Sequence, residues 1–219
     1  MTTLVTTSEE VLVRTGSADL PGSLGVPEGA GALVVFAHGT GSGRSSPRNL
    51  AVADSLHGAG LATLRLDLLT PEEADDRGNV FDITLLADRL LGASRWCRLH
   101  PPTRRLPIGM FGASTGAAAA LVAAAREARI HAVVSRGGRP DLARFWLDRV
   151  GAPTLLIVGS HDFDVLELNR EAYAQLRCVK RLTLIEGATH LFEEPGSMEQ
   201  VCTHARDWFA THLLRAGLR

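Results

Sequence analysis

Residues 110–121 read MFGASTGAAAAL, a serine between two glycines at two-residue spacing. The apolar run LPIGMFG (106–112) leads in, and an alanine-rich run leads out. Two adjacent hydroxyls, Ser114 and Thr115, where one apolar segment meets another need a chemical reason. Gly112-Ala113-Ser114-Thr115-Gly116 has the G-x-S-x-G spacing of a sharp strand-to-helix turn. Glycines on both sides let such a turn close without collision. The turn lifts the serine oxygen to the positive end of the helix that follows. Five residues alone are a weak pattern, so the surrounding chain has to decide.

Working outward, short runs rich in Val, Ile and Leu alternate with segments of helical spacing. EEVLVRTG (9–16) and LPGSLGVPEG (20–29) read as an antiparallel opening pair. GALVVFAHG (31–39) is continuously apolar, as expected of a strand buried on both faces. A helix from about 48, the strand LATLRLDLL (61–69) and a helix over 82–98 lead to the serine turn. Beyond it come a helix from 115, IHAVVSRGG (130–138), a single helix PDLARFWLDRV (140–150), APTLLIVGS (152–160), a helix from 165, RLTLIEGA (181–188) and a last helix from about Ser197. This alternation implies an α/β fold, a mostly parallel sheet covered by helices on both faces. Ser46 with Pro47 reads as a helix start, and Ser197 to Gln200 as a capping box. Gly60 and Gly217 fall where helices end. The acidic stretch TPEEADDRGNVF (70–81) has no apolar period and reads as a solvated loop, with the rim or lid of a pocket as the alternative.

With 219 residues, 45% hydrophobic and 21% charged, the chain is long for one small domain and short for two, so a single domain over 1–219 is expected. A formal net charge of −1 offers no attraction for nucleic acid or a membrane surface. Cys97, Cys178 and Cys202 are an odd number without metal-ligand spacing, which suits free thiols in a reducing compartment. The first residues lack a basic start and an apolar core, and no run approaches a membrane span. A cytoplasmic protein is the expectation.

In an open α/β sheet, ligands bind beyond the carboxyl ends of the strands. The polar residues there are His38-Gly39-Thr40-Gly41, the Ser114 turn, Gly159-Ser160-His161-Asp162 and Gly187-Ala188-Thr189-His190. A serine, an acid and a histidine thus reach one edge in chain order. Ser114 is the candidate nucleophile and His190 its base, since imidazole can take a hydroxyl proton near neutral pH. Asp162 is the candidate orienting acid, with Asp164 as the alternative. His57, His100, His131, His204 and His212 fall in helices or at strand starts, on the wrong edge. Oxyanion donors are expected from the backbone of Thr115 and of Thr40, with Gly41 in reserve. HGTGSG (38–43) could instead cradle a phosphate, but it lacks the lysine and spacing of a P-loop.

The elbow GASTGAAAAL, the loop FAHGTGSGRSSPRN, IVGSHD and GATHLFEEPG together resemble the α/β-hydrolase superfamily. The compact length is similar to its dienelactone hydrolase-like branch, and the likeness runs from about residue 9 onward. The resemblance implies a three-layer α/β/α sandwich with an eight-stranded, mostly parallel sheet and no large lid. It also implies a Ser-His-acid triad falling on Ser114, His190 and Asp162, with no metal or organic cofactor. Dienelactone hydrolase itself uses a cysteine nucleophile. Here the position is Ser114, and no cysteine lies at an elbow, so a serine carboxylesterase is the closer expectation. Lipases, peptidases, thioesterases and perhydrolases share the superfamily.

His38 and Gly39, inside the glycine-rich loop, and Arg48 and Arg136 are the remaining candidates to touch a substrate. Arg44, Arg48, Arg136 and Arg139 all fall near the same edge, and guanidinium groups would suit a substrate carboxylate or phosphate. Ion pairing is the other use for them. Asp67 could hold Arg48, and Asp141 is the local partner for Arg136. In the family strand order Asp67 lies three strand spacings from Arg136, roughly 14 Å. Glu193 and Glu194 read as surface or pairing residues. Without a cap the site should be open, favouring small soluble esters. An acyltransferase or perhydrolase on the same site, or a ligand-binding protein on the same fold, are the competing functions. The final helix carries Trp208, Phe209, Leu213 and Leu214, which could cover the sheet of a monomer or meet a second subunit.

Overall fold

The computed structural model describes residues 5–16 and 18–214. Eight strands form one sheet, β1 (Thr6–Arg14), β2 (Asp19–Pro27), β3 (Ala32–Ala37), β4 (Leu61–Leu66), β5 (Ile108–Ala113), β6 (Ile130–Arg136), β7 (Thr154–Gly159) and β8 (Lys180–Ile185). Their order is β1-β2-β4-β3-β5-β6-β7-β8. The opening pair is antiparallel, β2 joins β4 antiparallel, and every later pairing is parallel. The sheet is open, not a closed barrel. All six residues of β3, β5 and β7 are buried, which is why those runs show no polar alternation.

Helices cover both faces. On one side lie α4 (Ile83–Leu99), α5 (Thr115–Arg126), α6 (Phe163–Gln175) and a 3₁₀ segment Pro140–Arg149; on the other lie α1 (Pro47–His57) and α7 (Ser197–Phe209). All the alanines of α5 but Ala125 are buried, and their small size lets the helix sit close on β5. The 140–150 segment, expected as an ordinary helix, winds as the tighter 3₁₀ form. The last helix covers this chain's own sheet. A Cβ on Gly109 would lie 2.8 Å from the Phe209 ring and 3.0 Å from Leu213.

Three local expectations change. Residues 70–81 are not a loop but two short helices, α2 (Pro71–Ala74) and α3 (Arg77–Phe81). Thr70 accepts the Glu73 N–H while Glu73 accepts the Thr70 N–H, and Asp76 caps α3. The capping box expected at Ser197–Gln200 is absent. The chain enters α7 through Gly196 in the left-handed region (φ 80°), so Ser197 is already inside the first turn and one residue too late to cap. Ser46 precedes α1 with Pro47 at the first helical position, but its side chain makes no cap bond. Gly60 has φ 73° in the turn after α1, while Gly217 lies outside the described residues. No helix among the described residues is long and apolar enough to cross a membrane.

Candidate active site

Close packing explains the glycines around Ser114. A Cβ on Gly112 would stand 2.4 Å from Ala117 Cα, and one on Gly116 would stand 2.3 Å from the Ala37 carbonyl oxygen. Neither contact is possible for a real side chain, so only glycine lets α5 spring directly from β5 against β3. Ser114 itself takes φ 51° and ψ −124°. Among the described residues, only Ser114 and Phe192 combine a side chain with positive φ. Such strain costs of order 1–3 kcal/mol and survives only where neighbours enforce it. Here the Ser114 N–H donates to the Arg136 carbonyl at 3.3 Å, and the Ser114 carbonyl accepts the Arg139 N–H at 3.1 Å.

The candidate acid and base come from the ends of β7 and β8. A Cβ on Gly159 would lie 2.3 Å from the Ala188 oxygen, so the two strand ends meet backbone to backbone. The His161 N–H donates to Ala188 O (2.9 Å), and the Gly187 N–H to Ser160 Oγ (2.8 Å). Those contacts present Asp162 to His190, whose Nδ1–H donates to Asp162 Oδ2 at 2.7 Å. The Asp162 side chain is 13% exposed and the His190 side chain 40%. Asp162 occupies the N-cap position of α6 without capping it, because its carboxylate serves His190. Asp164 sits exposed in the first turn of α6.

The elbow and the histidine loop are neighbours through Gly137, where a Cβ would lie 3.5 Å from His190 Cε1 and 3.4 Å from the Phe192 ring. Phe192 is fully buried beneath the loop and takes φ 56° to reach that place. The half-buried Ser114 hydroxyl is without a hydrogen bond among the described residues, so its contact with His190 is not closed here. Catalytic hydrogen bonds are often long until substrate tightens them.

On the other side of Ser114 lies the loop after β3. Gly39 approaches so closely that a Cβ would stand 2.8 Å from Ser114 Cβ. The Thr40 N–H donates to Thr115 Oγ1 at 3.2 Å, and the two threonine hydroxyls lie 3.1 Å apart. Thr115 opens α5, where a helix leaves its N–H groups without internal partners. His38 fixes the loop: its Nε2 accepts the Leu68 N–H at 3.1 Å, which puts its proton on Nδ1, 3.0 Å from Gly39 O. Asp67 fixes it again, taking the Arg44 N–H at 2.8 Å and Arg44 Nε at 3.1 Å.

The arginines divide differently from the sequence expectation. Arg44, not Arg48, holds Asp67; Arg48 pairs with Glu193 at 3.6 Å. Arg139, not Arg136, takes Asp141, through two hydrogen bonds of 2.8 and 2.9 Å. Glu194 accepts the Thr189 hydroxyl at 2.6 Å. Arg136 is half-buried, and the burial of its guanidinium with the Arg48 charge nearby brings that group down to about 10. Neither Arg48 nor Arg136 lines the large cavity beside the site. The thiols are free, and burial pushes Cys97 up to about 12 and Cys202 upward, away from nucleophilic use.

That cavity, about 600 Å³, matches the alternative reading of residues 70–81 as the rim or lid of a pocket rather than the favoured one of a solvated loop. Its inner end is formed by Gly39, Thr40 and Thr115, its floor by Leu68, Leu69 and Leu86, and its roof by Ala74, Arg77, Val80 and Phe81. The signal was present: Thr70-Pro71-Glu72-Glu73 has the proline and spacing of a helix start. Among the described residues no cluster of three or more side chains could hold a metal ion.

No protein-family model matches the chain. Proteins from two Mycobacterium tuberculosis strains, each named "Putative phosphoribosyl transferase", are 58% identical over 210 residues. That match covers 95% of this chain but 47% of theirs, so the chain spans about half the length of these relatives. The crystal structure of a dienelactone hydrolase from Anabaena variabilis matches with 52% identity and a TM-score of 0.92, covering 95% of this chain and 99% of that one. Est1E from Butyrivibrio proteoclasticus shares the fold at 17% identity, with a TM-score of 0.79 over 92% of this chain and 98% of its own. With that fold, and with half its residues shared end to end with the Anabaena protein, the chain belongs to the dienelactone hydrolase-like α/β hydrolases.

Proposed function

We propose that the chain is a serine hydrolase of carboxylic esters, working through an acyl-enzyme on Ser114. The observation that carries the reading is the Asp162–His190 hydrogen bond, formed beside a serine held on a strained corner. Ser114 Oγ attacks the ester carbonyl while His190 Nε2 takes its proton. Asp162 holds the ring in the tautomer that leaves Nε2 free to accept, and it stabilises the imidazolium. The developing oxyanion takes the Thr115 N–H at the start of α5 and the Thr40 N–H, which turns from Thr115 Oγ1 toward it. His190 then returns the proton to the departing alcohol, and water attacks the acyl-enzyme by the same relay.

The transferase name of the Mycobacterium relatives belongs to proteins about twice as long, and this proposal concerns the matched stretch alone. A fluorophosphonate probe tests it: the wild-type chain should carry one adduct and Ser114→Ala none. Labelling that persists in Ser114→Ala, or never occurs, rules the mechanism out.

A further inference from the structure

The 600 Å³ cavity lies within the range of small-molecule sites, and its walls are mostly apolar. It adjoins the candidate reaction centre, because Gly39, which packs against Ser114, and Thr115, the next residue in the chain, both line it. Sheet order gives it a direction. The cavity is built from the loops after β3 and β4 and from the α2–α3 roof, on one side of β5 and Ser114. His190 and Asp162 follow β8 and β7, on the other side. A leaving alcohol must lie against His190 to receive its proton, so the acyl group points the opposite way.

We infer that this cavity is an acyl pocket, and that the substrates are esters of aliphatic acids of medium chain length rather than of acetate-sized ones. The inference rests on Ser114 being the nucleophile and adds the acid that it takes up. The roof is a built feature. Glu73, inside the α2 capping box, pairs with Arg89, whose side chain is 4% exposed on α4, and the Glu73 carbonyl accepts Asn79 Nδ2 at 3.0 Å. Val80 and Phe81 therefore hang over Leu68 and Leu86 from an anchored support rather than from a free loop. An acetyl group would leave most of that apolar wall in water. Each further methylene transfers surface out of it.

The test is a series of p-nitrophenyl esters from acetate to dodecanoate. kcat/KM should rise about two-fold or more per methylene, roughly 60-fold from acetate to octanoate, and fall once the chain outgrows the cavity. Val80→Trp and Leu69→Trp, each checked by thermal melting for a folded chain, should lower the octanoate-to-acetate ratio at least about ten-fold. Calorimetric titration of octanoate into Ser114→Ala should show binding that Val80→Trp abolishes. Hydrolysis through Ser114 with a flat or falling chain-length profile overturns the acyl pocket and leaves the hydrolase reading intact. No hydrolysis and no fluorophosphonate adduct, with octanoate still bound, overturns the hydrolase reading and keeps the pocket. Failure of octanoate to bind, in a folded Ser114→Ala chain, overturns the pocket.

Discussion

The two sides of Ser114 are built in opposite ways. Toward β4 the ground is roofed and apolar, with two capped helices held over leucines by the Glu73–Arg89 pair. Toward β7 and β8 it is open, with His190 40% exposed and Phe163 and Leu191, at 70% and 42%, standing beside Asp162 and His190 in the chain. The closed side can select by shape, because filling it removes surface from water. In the proposed mechanism the open side holds the proton relay in register and lets the alcohol leave. Ser114 in that mechanism thus divides a region that discriminates from a region that reacts.

The largest test of that division is loss of the relay. Ser114→Ala or His190→Ala should cut kcat by about 10⁴-fold for acetate and octanoate alike, since both chain lengths use the same chemistry. A loss confined to one ester would mean the two sides are not separate. Next, Asp162→Asn should cost about 10³- to 10⁴-fold in kcat through the wrong imidazole tautomer, while the exposed Asp164→Asn stays within about two-fold. Equal losses at both positions would move the acid to α6. On the closed side, Glu73→Gln removes a charged partner from buried Arg89. Urea unfolding should show about 1–3 kcal/mol of destabilisation, and the octanoate-to-acetate ratio should drop several-fold while kcat for acetate keeps its order of magnitude. An unaltered ratio would show that the roof does not shape the pocket. The smallest effect belongs to the open rim: Phe163→Ser should change kcat/KM for all chain lengths by no more than about two-fold. A selective effect on octanoate would place the acyl chain on the wrong side.

Backbone-level features were legible because steric rules write them locally. The period-two glycines around Ser114 announce a turn, and Gly112 and Gly116 prove to be the positions where a Cβ would strike Ala117 and Ala37. The continuous apolar runs of β3, β5 and β7 announce strands buried on both faces. The order of Ser114, Asp162 and His190 followed from asking which strands end in polar residues. Ion pairing was not legible in the same way. Arg44 and Arg48 are four residues apart in one segment, and only the turn at Gly43, where a Cβ would meet Asp67 at 2.9 Å, hands Asp67 to Arg44. Residues 70–81 were misjudged because two short, mostly exposed helices carry no apolar period; their caps were the better guide.

By itself, the amino-acid order determined that this chain forms a doubly covered, mostly parallel sheet and carries a serine on a corner that only glycine neighbours permit. Tertiary structure decided which side of that serine is a pocket and which arginine meets which acid. The cause is range. Turn sterics and strand periodicity act over a few residues, whereas the pocket joins Thr40, Thr115 and Phe81, which only the sheet's crossovers bring together.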